Sequence, residues 1–198
     1  MVDKYGTGQD PYCYSGTNVL INKFNIKSKT TLNDAEREIT TAALQNISFQ
    51  VAPYDLNYFK RLHFILFNHI YDWAGEIRTI DISKENTRFC TSSRIEPEAN
   101  KIFEDLKQKN YYQDCSHEIF IENLAELYAD INMLHPFRDG NGRTQRILFE
   151  HIALNCNYII DWSAVTTEKW IIANIHGANC NFKPLEEIFK GALKLVTI

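Results

Sequence analysis

The 198-residue chain has only 8 glycines and 5 prolines, too few for a collagen-like repeat or a linker-dominated architecture. It has no apolar run near the ~20 residues that cross a bilayer, so no membrane partner is expected. A basic tract is also missing. Lys and Arg total 21 against 25 Asp and Glu, a formal net charge of -4, so direct nucleic-acid binding is not expected either. The five cysteines, Cys13, Cys90, Cys115, Cys156 and Cys180, are odd in number and scattered. None forms a C-x-x-C pair that could begin a zinc or thioredoxin-like site, and they read as buried or incidental thiols in a reducing compartment. The start, Met1-Val2-Asp3-Lys4-Tyr5-Gly6, lacks the apolar stretch of a secretory signal, so a cytoplasmic location is expected, with export by another signal left open.

What is present suits one globular domain over residues 1–198: 44% hydrophobic and 13% aromatic residues supply a core. No repeat divides the chain, and most segments carry helical periodicity. Leu56, Phe59, Leu62, Leu66 and Ile70 recur at steps of three and four, as do Ile95, Ala99, Ile102, Phe103 and Leu106 before a break near Asn110. A further helix is expected from Ser116, a suitable N-cap, with Phe120, Leu124, Leu127, Ile131 and Leu134 on its core face. Glu118, Glu122, Glu126 and Asp130 follow at steps of four on that helix and read as a solvated face rather than a metal site. Between the helices, Ile77 to Thr91 is the one clear strand candidate: a short hairpin turning at Glu85-Asn86, marginal unless it packs on helices and so suited to a flap with a free edge.

Chemistry concentrates in His135-Pro136-Phe137-Arg138-Asp139-Gly140-Asn141-Gly142-Arg143-Thr144-Gln145-Arg146. Pro136 disfavours helical geometry at His135, and Asp139 to Gly142 tolerate positive φ, so one helix must stop and another start after a sharp turn. Such a turn aims backbone N–H groups and a helix dipole at one spot, where anions collect. Arg143 and Arg146, three apart on the second helix, oppose its dipole, with Asp139 the one acid nearby in sequence; an external polyanion explains them better than local stability does. Asp139 offers one hard oxygen, suited to Mg²⁺ shared with substrate phosphates. His135 can accept a proton near pH 7, although a helix C-terminus favours its charged form. Phe137 is assigned to the core.

Taken singly, each residue has a plainer reading: His135 as a structural histidine, Asp139 as a turn or cap residue, the arginines as partners of a neighbouring carboxylate. It is their combination that points to an anion-binding site. The other histidines, His63, His69, His117, His151 and His176, show no ligand spacing and read as surface or core residues. A Walker A sequence is absent, and Gly140-x-Gly142 lacks the third glycine of a dinucleotide fingerprint.

These twelve residues fill every specified position of H-x-F-x-D/E-G-N-G-R-x-x-R, the signature of the Fic family, which the chain therefore resembles. Asp72-Trp73-Ala74-Gly75-Glu76-Ile77-Arg78 resembles the segment leading into that family's flap, and Gly8-Gln9-Asp10-Pro11-Tyr12 the start of its compact bacterial toxin members. The resemblance spans about residues 55 to 195. It implies an all-α domain with a short β-hairpin flap over the active site and N-terminal helices packed on the core.

By the same resemblance the activity would be transfer of AMP from ATP to a Tyr, Ser or Thr hydroxyl of a target protein. His135 would be the base, and Asp139 the Mg²⁺ ligand. Gly140, Asn141 and Gly142 would hold the anion turn, and Arg143 and Arg146 the outer phosphates. Lys84 and Glu85 would reach the nucleotide, while Ile82, Lys84 and Phe89 would dock the target along the flap by strand addition. Glu85 departs from the glycine that many members carry there. Gly142 and Arg146 argue against the family's kinase branch.

Many members are silenced by a helix carrying S/T-x-x-x-E-G/N, whose glutamate pairs with the second arginine. Glu85-Asn86 and Glu122-Asn123 are preceded, four residues earlier, by Asp81 and Glu118, so neither fits. A small antitoxin chain would have to supply that motif. Transfer of another nucleotide, removal of AMP, or a catalytically weak binding module are the competing functions.

Overall fold

The Ser116 Oγ accepts the Ile119 N–H at 3.4 Å, and helix α4 (His117–Leu134) begins at that cap. Its expected core face is buried, while Glu118, Glu122, Glu126 and Asp130 stay exposed. No group of three metal-ligating side chains occurs among the described residues, which in this computed structural model are 10–84 and 87–196. The Glu85 and Gly8-Gln9 expectations lie outside them.

Asp55 caps α2 (Leu56–Phe67) by accepting the Tyr58 N–H at 2.7 Å. Helix α3 (Ile95–Gln108) buries Ile95, Ala99, Phe103 and Leu106. It breaks where expected, at Asn110, Tyr111 and Tyr112, which all adopt positive φ. Helix α5 (Asn141–Asn155) packs on α2 and α4, and the C-terminal α6 (Thr167–Ala178) and α7 (Lys183–Ala192) close over α4. One hydrophobic core runs from Cys13 to Leu193 through all these helices. No helix among the described residues is long and apolar enough to cross a membrane.

Three features differ from expectation. In place of N-terminal helices, the described residues before α2 form one helix, α1 (Lys29–Leu44), after an irregular stretch pinned by the Cys13–Leu20 bridge. The hairpin shrinks to β1 (Ser83–Lys84) and β2 (Thr87–Arg88), paired antiparallel. Its expected outer parts bond elsewhere: the Arg78 N–H donates to Pro136 O and the Cys90 N–H to Met133 O, both 2.9 Å. Finally, β3 (Tyr158–Ile160) and β4 (Leu193–Leu195) form a second antiparallel pair that the short, mixed sequence around them does not announce.

Candidate active site

Helix α4 ends because His135 takes a left-handed conformation (φ 42°, ψ 60°) ahead of Pro136. Gly140, at φ 77°, then opens α5. Only glycine fits there: a Cβ would lie 2.4 Å from two ring carbons of the buried Phe67. The turn between is held from within and from behind. Asn141, 4% exposed, accepts the Phe137 N–H at 2.9 Å and donates to Phe137 O at 2.8 Å. Phe137 is fully buried and stacks on His63, ring centroids 3.9 Å apart.

His63 is a buttress of the turn. Its Nδ1 accepts the Gly75 N–H at 2.8 Å, which leaves the proton on Nε2 to donate to Asp139 O at 3.0 Å. Burial lowers its pKa to about 4, so it is neutral at pH 7. Asp139 Oδ1 accepts the Gly140 N–H at 2.7 Å. Its carboxylate thus caps the turn while also lining the cavity.

The half-buried His135 ring is oriented the same way. Its Nδ1 lies 3.0 Å from Asn132 O, a carbonyl that can only accept, so the proton sits on Nδ1 and Nε2 keeps its lone pair. The Phe89 ring stacks on it at 3.8 Å. Burial lowers the His135 pKa to about 4, with the Arg78 and Lys84 charges acting in the same direction against the hydrogen bond to Asn132. Desolvation therefore outweighs the helix C-terminus that favours the charged form, and the ring is a neutral base.

Sequence reasoning passed over what surrounds this turn in space. Arg78, 2% exposed, donates from Nε to His135 O at 2.8 Å, from Nη1 to Ile80 O at 2.6 Å, and from Nη2 to Cys90 O. Both roots of the flap are thereby tied to the backbone of the imidazole residue. Arg138 is buried against Asp10, and Arg143 Nη2 lies 2.5 Å from Glu36 Oε1, 107 residues away. Two carboxylates from the N-terminal region thus offset two of the three arginines of residues 135–146. Asp139 is the one acid near the arginines along the chain, and Glu36 joins it through space. Arg146 has no ion pair among the described residues and lies over Trp162 and Trp170, 5.4 and 5.7 Å from their ring centres.

A cavity of about 480 Å³ joins these parts, within the range of small-ligand sites. His135, Asp139, Gly140, Asn141, Gly142, Arg143 and Arg146 line one side, Lys84, Thr87 and Phe89 the flap side, and Trp170, Ile171, Asn174 and Ile175 the far end. Lys84 is exposed, whereas Ile82 and Phe89 are buried against each other with Ile80 alongside. The Ile82 side chain is thus turned away from a chain docking on the flap, while Phe89 still borders the cavity.

Fold and site together define a helical domain in which a neutral imidazole and a glycine-opened helix N-terminus line one cavity. The family model described as Fic/DOC family matches residues 53–153, and the chain belongs to that family. It is 39% identical to the "Probable protein adenylyltransferase Fic" of Salmonella typhimurium, over 98% of this chain and 96% of that one. It is 37% identical to the protein of the same name from Escherichia coli K12, over 96% and 94%. Among solved structures, the BepC protein of Bartonella tribocorum with bound AMPPNP, a VirB-translocated effector, superposes with a TM-score of 0.87 at 26% identity, covering 93% of this chain and 96% of that one.

Proposed function

We propose that the chain is a protein adenylyltransferase that moves AMP from ATP to a hydroxyl of a target protein. The observation that carries this reading is that His135, with Nε2 unprotonated, lines the same cavity as the glycine-opened N-terminus of α5. A target Tyr, Ser or Thr oxygen attacks the α-phosphorus as its proton passes to His135 Nε2. The bond to the bridging oxygen breaks, and pyrophosphate leaves with the electron pair. The α5 N-terminus, Arg143 and Arg146 hold the charge that builds on the departing phosphates, the electrostatic part that dominates phosphoryl-group chemistry.

A single cavity-facing carboxylate beside the phosphate turn suits Mg²⁺, which takes few protein ligands when phosphates supply the rest. Asp139 would hold it, and the ion would neutralise phosphate charge. The β1–β2 ribbon offers main-chain groups to an extended target segment, with Lys84 at its edge. Regulation comes from a second protein whose S/T-x-x-x-E-G/N helix brings a glutamate to Arg146, as a small antitoxin would, and the protein works in the cytoplasm.

The test is transfer of label from α-labelled ATP, with UTP and GTP as competitors, to proteins of a whole-cell lysate in Mg²⁺. The reading expects a labelled band that disappears with His135→Ala. Equal labelling by that variant would remove it. Inhibition by a co-encoded small protein carrying S/T-x-x-x-E-G/N, lost in Arg146→Ala, tests the partner.

A further inference from the structure

Arg143 is gripped by residues that lie outside its own motif. Its guanidinium carbon sits 4.7 Å from the centre of the Phe67 ring, and its Nη2 meets Glu36 Oε1 at 2.5 Å. The other Glu36 oxygen accepts the hydroxyl of Tyr71, itself almost fully buried. Burial and the Glu36 carboxylate both push the Tyr71 pKa up, so this hydroxyl stays a donor. The Glu36 side chain is 14% exposed and that of Arg143 40%. One edge and one face of the guanidinium are therefore fixed, and the remaining N–H donors of a cavity-lining group are left for a ligand.

Glu36 belongs to α1, which precedes the 53–153 stretch that defines the family. The residue after it is Arg37, and Leu32 stands four before it, so this carboxylate does not carry the S/T-x-x-x-E-G/N pattern. It engages the first arginine of the turn and not the second. A carboxylate on this arginine could either compete with phosphates for it or hold it in place for them. The Tyr71 bond and the Phe67 face favour holding: both are anchors that restrict the group without using the donors a ligand needs. Restricting a long side chain before binding removes an entropic cost of binding.

We propose that Glu36 is the positioning residue of Arg143, and that α1 thereby completes the site for the outer phosphates of a nucleoside triphosphate. This rests on reading the cavity as the nucleotide site. The chemistry predicts a selective effect: loss of Glu36 weakens a ligand that has β and γ phosphates and spares one that does not.

The test is calorimetric affinity for ATP and for AMP, at fixed Mg²⁺, in the full chain and in Glu36→Ala, Glu36→Gln, Arg143→Ala and the Glu36→Ala/Arg143→Ala double variant, with the thermal midpoint of each as a check of folding. Arg143→Ala is expected to weaken ATP by about 10- to 100-fold, the range of a charge-assisted hydrogen bond. Glu36→Ala should weaken ATP by about 5- to 10-fold with AMP within about twofold, while Glu36→Gln, which keeps an acceptor for Arg143, stays within about threefold for ATP. The double variant should be no weaker than Arg143→Ala alone, because the two act as one unit. Should Glu36→Ala not fold, Glu36→Asp, whose shorter reach breaks the Arg143 contact, takes its place with the same selective loss expected. Unchanged or tighter ATP binding in Glu36→Ala overturns the proposal, as does an equal loss for ATP and AMP. If Arg143→Ala is also silent, the reading of the cavity falls with it; if only the Glu36 variants are silent, this inference falls alone.

Discussion

The two sides of the cavity are built in opposite ways. Its floor, the turn from His135 to Arg146, is fixed from several directions: Asn141 closes it on Phe137, His63 holds Asp139 O, and Arg138 is buried against Asp10. Its roof is a ribbon with two residues in each strand, joined at its roots to the floor by Arg78 and to the end of α4 by the Cys90 N–H. A ribbon that short has little stability of its own. A fixed floor suits the unvarying charge of the proposed phosphates, whereas the roof would offer backbone to the proposed target, whose side chains are free to vary. Desolvation extends the contrast to the imidazole, which sits on the floor and carries a roof residue, Phe89, on its face.

The largest expected break in this contrast is chemical. His135→Ala should slow AMP transfer by about 10²- to 10⁴-fold while ATP affinity, set by the rest of the floor, stays near that of the unaltered protein; rate and binding assays in parallel check both. Next comes the backbone of the floor. Gly140→Ala combines a positive φ with a Cβ inside the Phe67 ring and should cost about 2–5 kcal/mol in denaturant unfolding. Gly142→Ala, which points into open space, should stay within about 0.5 kcal/mol. Equal effects at the two glycines would deny the floor its special rigidity.

The joint between the two sides is tested by Arg78→Met, which leaves the His135, Ile80 and Cys90 carbonyls without this donor. A loss of about 1–3 kcal/mol is expected, with transfer slowed more than ATP binding is weakened.

A pH-dependent effect follows from the two buried imidazoles. His63 and His135 have folded pKa values lowered to about 4 against about 6.5 unfolded. Below pH 6.5 the unfolded chain binds protons that the fold refuses, so stability should decline as the pH falls from about 6.5 towards 4, by up to about 1.4 kcal/mol per unit for each ring. Over the same window, kcat/KM should keep its neutral-pH value well below 6.5 before it drops. Unfolding midpoints and a pH–rate profile measure the two separately. Smallest of all, Arg88→Ala removes an exposed 3.3 Å pair with Asp81 on the roof and should change stability by less than about 1 kcal/mol.

Much of the helical frame was legible because its signals are local. The Ser116 cap, the 3.6-residue stripe after it and the stop at Pro136 lie within reach of one another along the chain, and each helix forms where its own residues ask for it. The motif of the floor was legible for the same reason, since a turn that feeds a helix is a local object. The hairpin was overestimated, because alternation over Ile77–Thr91 cannot reveal that the Arg78 N–H goes to the turn at Pro136 and the Cys90 N–H to Met133 at the end of α4. The β3–β4 pair was missed because three-residue strands carry too little pattern and find each other across α6 and α7.

From residue order alone come helices α2 to α5, the sharp bend between α4 and α5, and the set of groups that bend presents. Which carboxylates neutralise its arginines and how far its imidazole is desolvated were decided by the tertiary structure. Asp10 and Glu36 lie more than a hundred residues from Arg138 and Arg143. Charge pairing and burial depend on distance through space, and only the folded core brings those segments together.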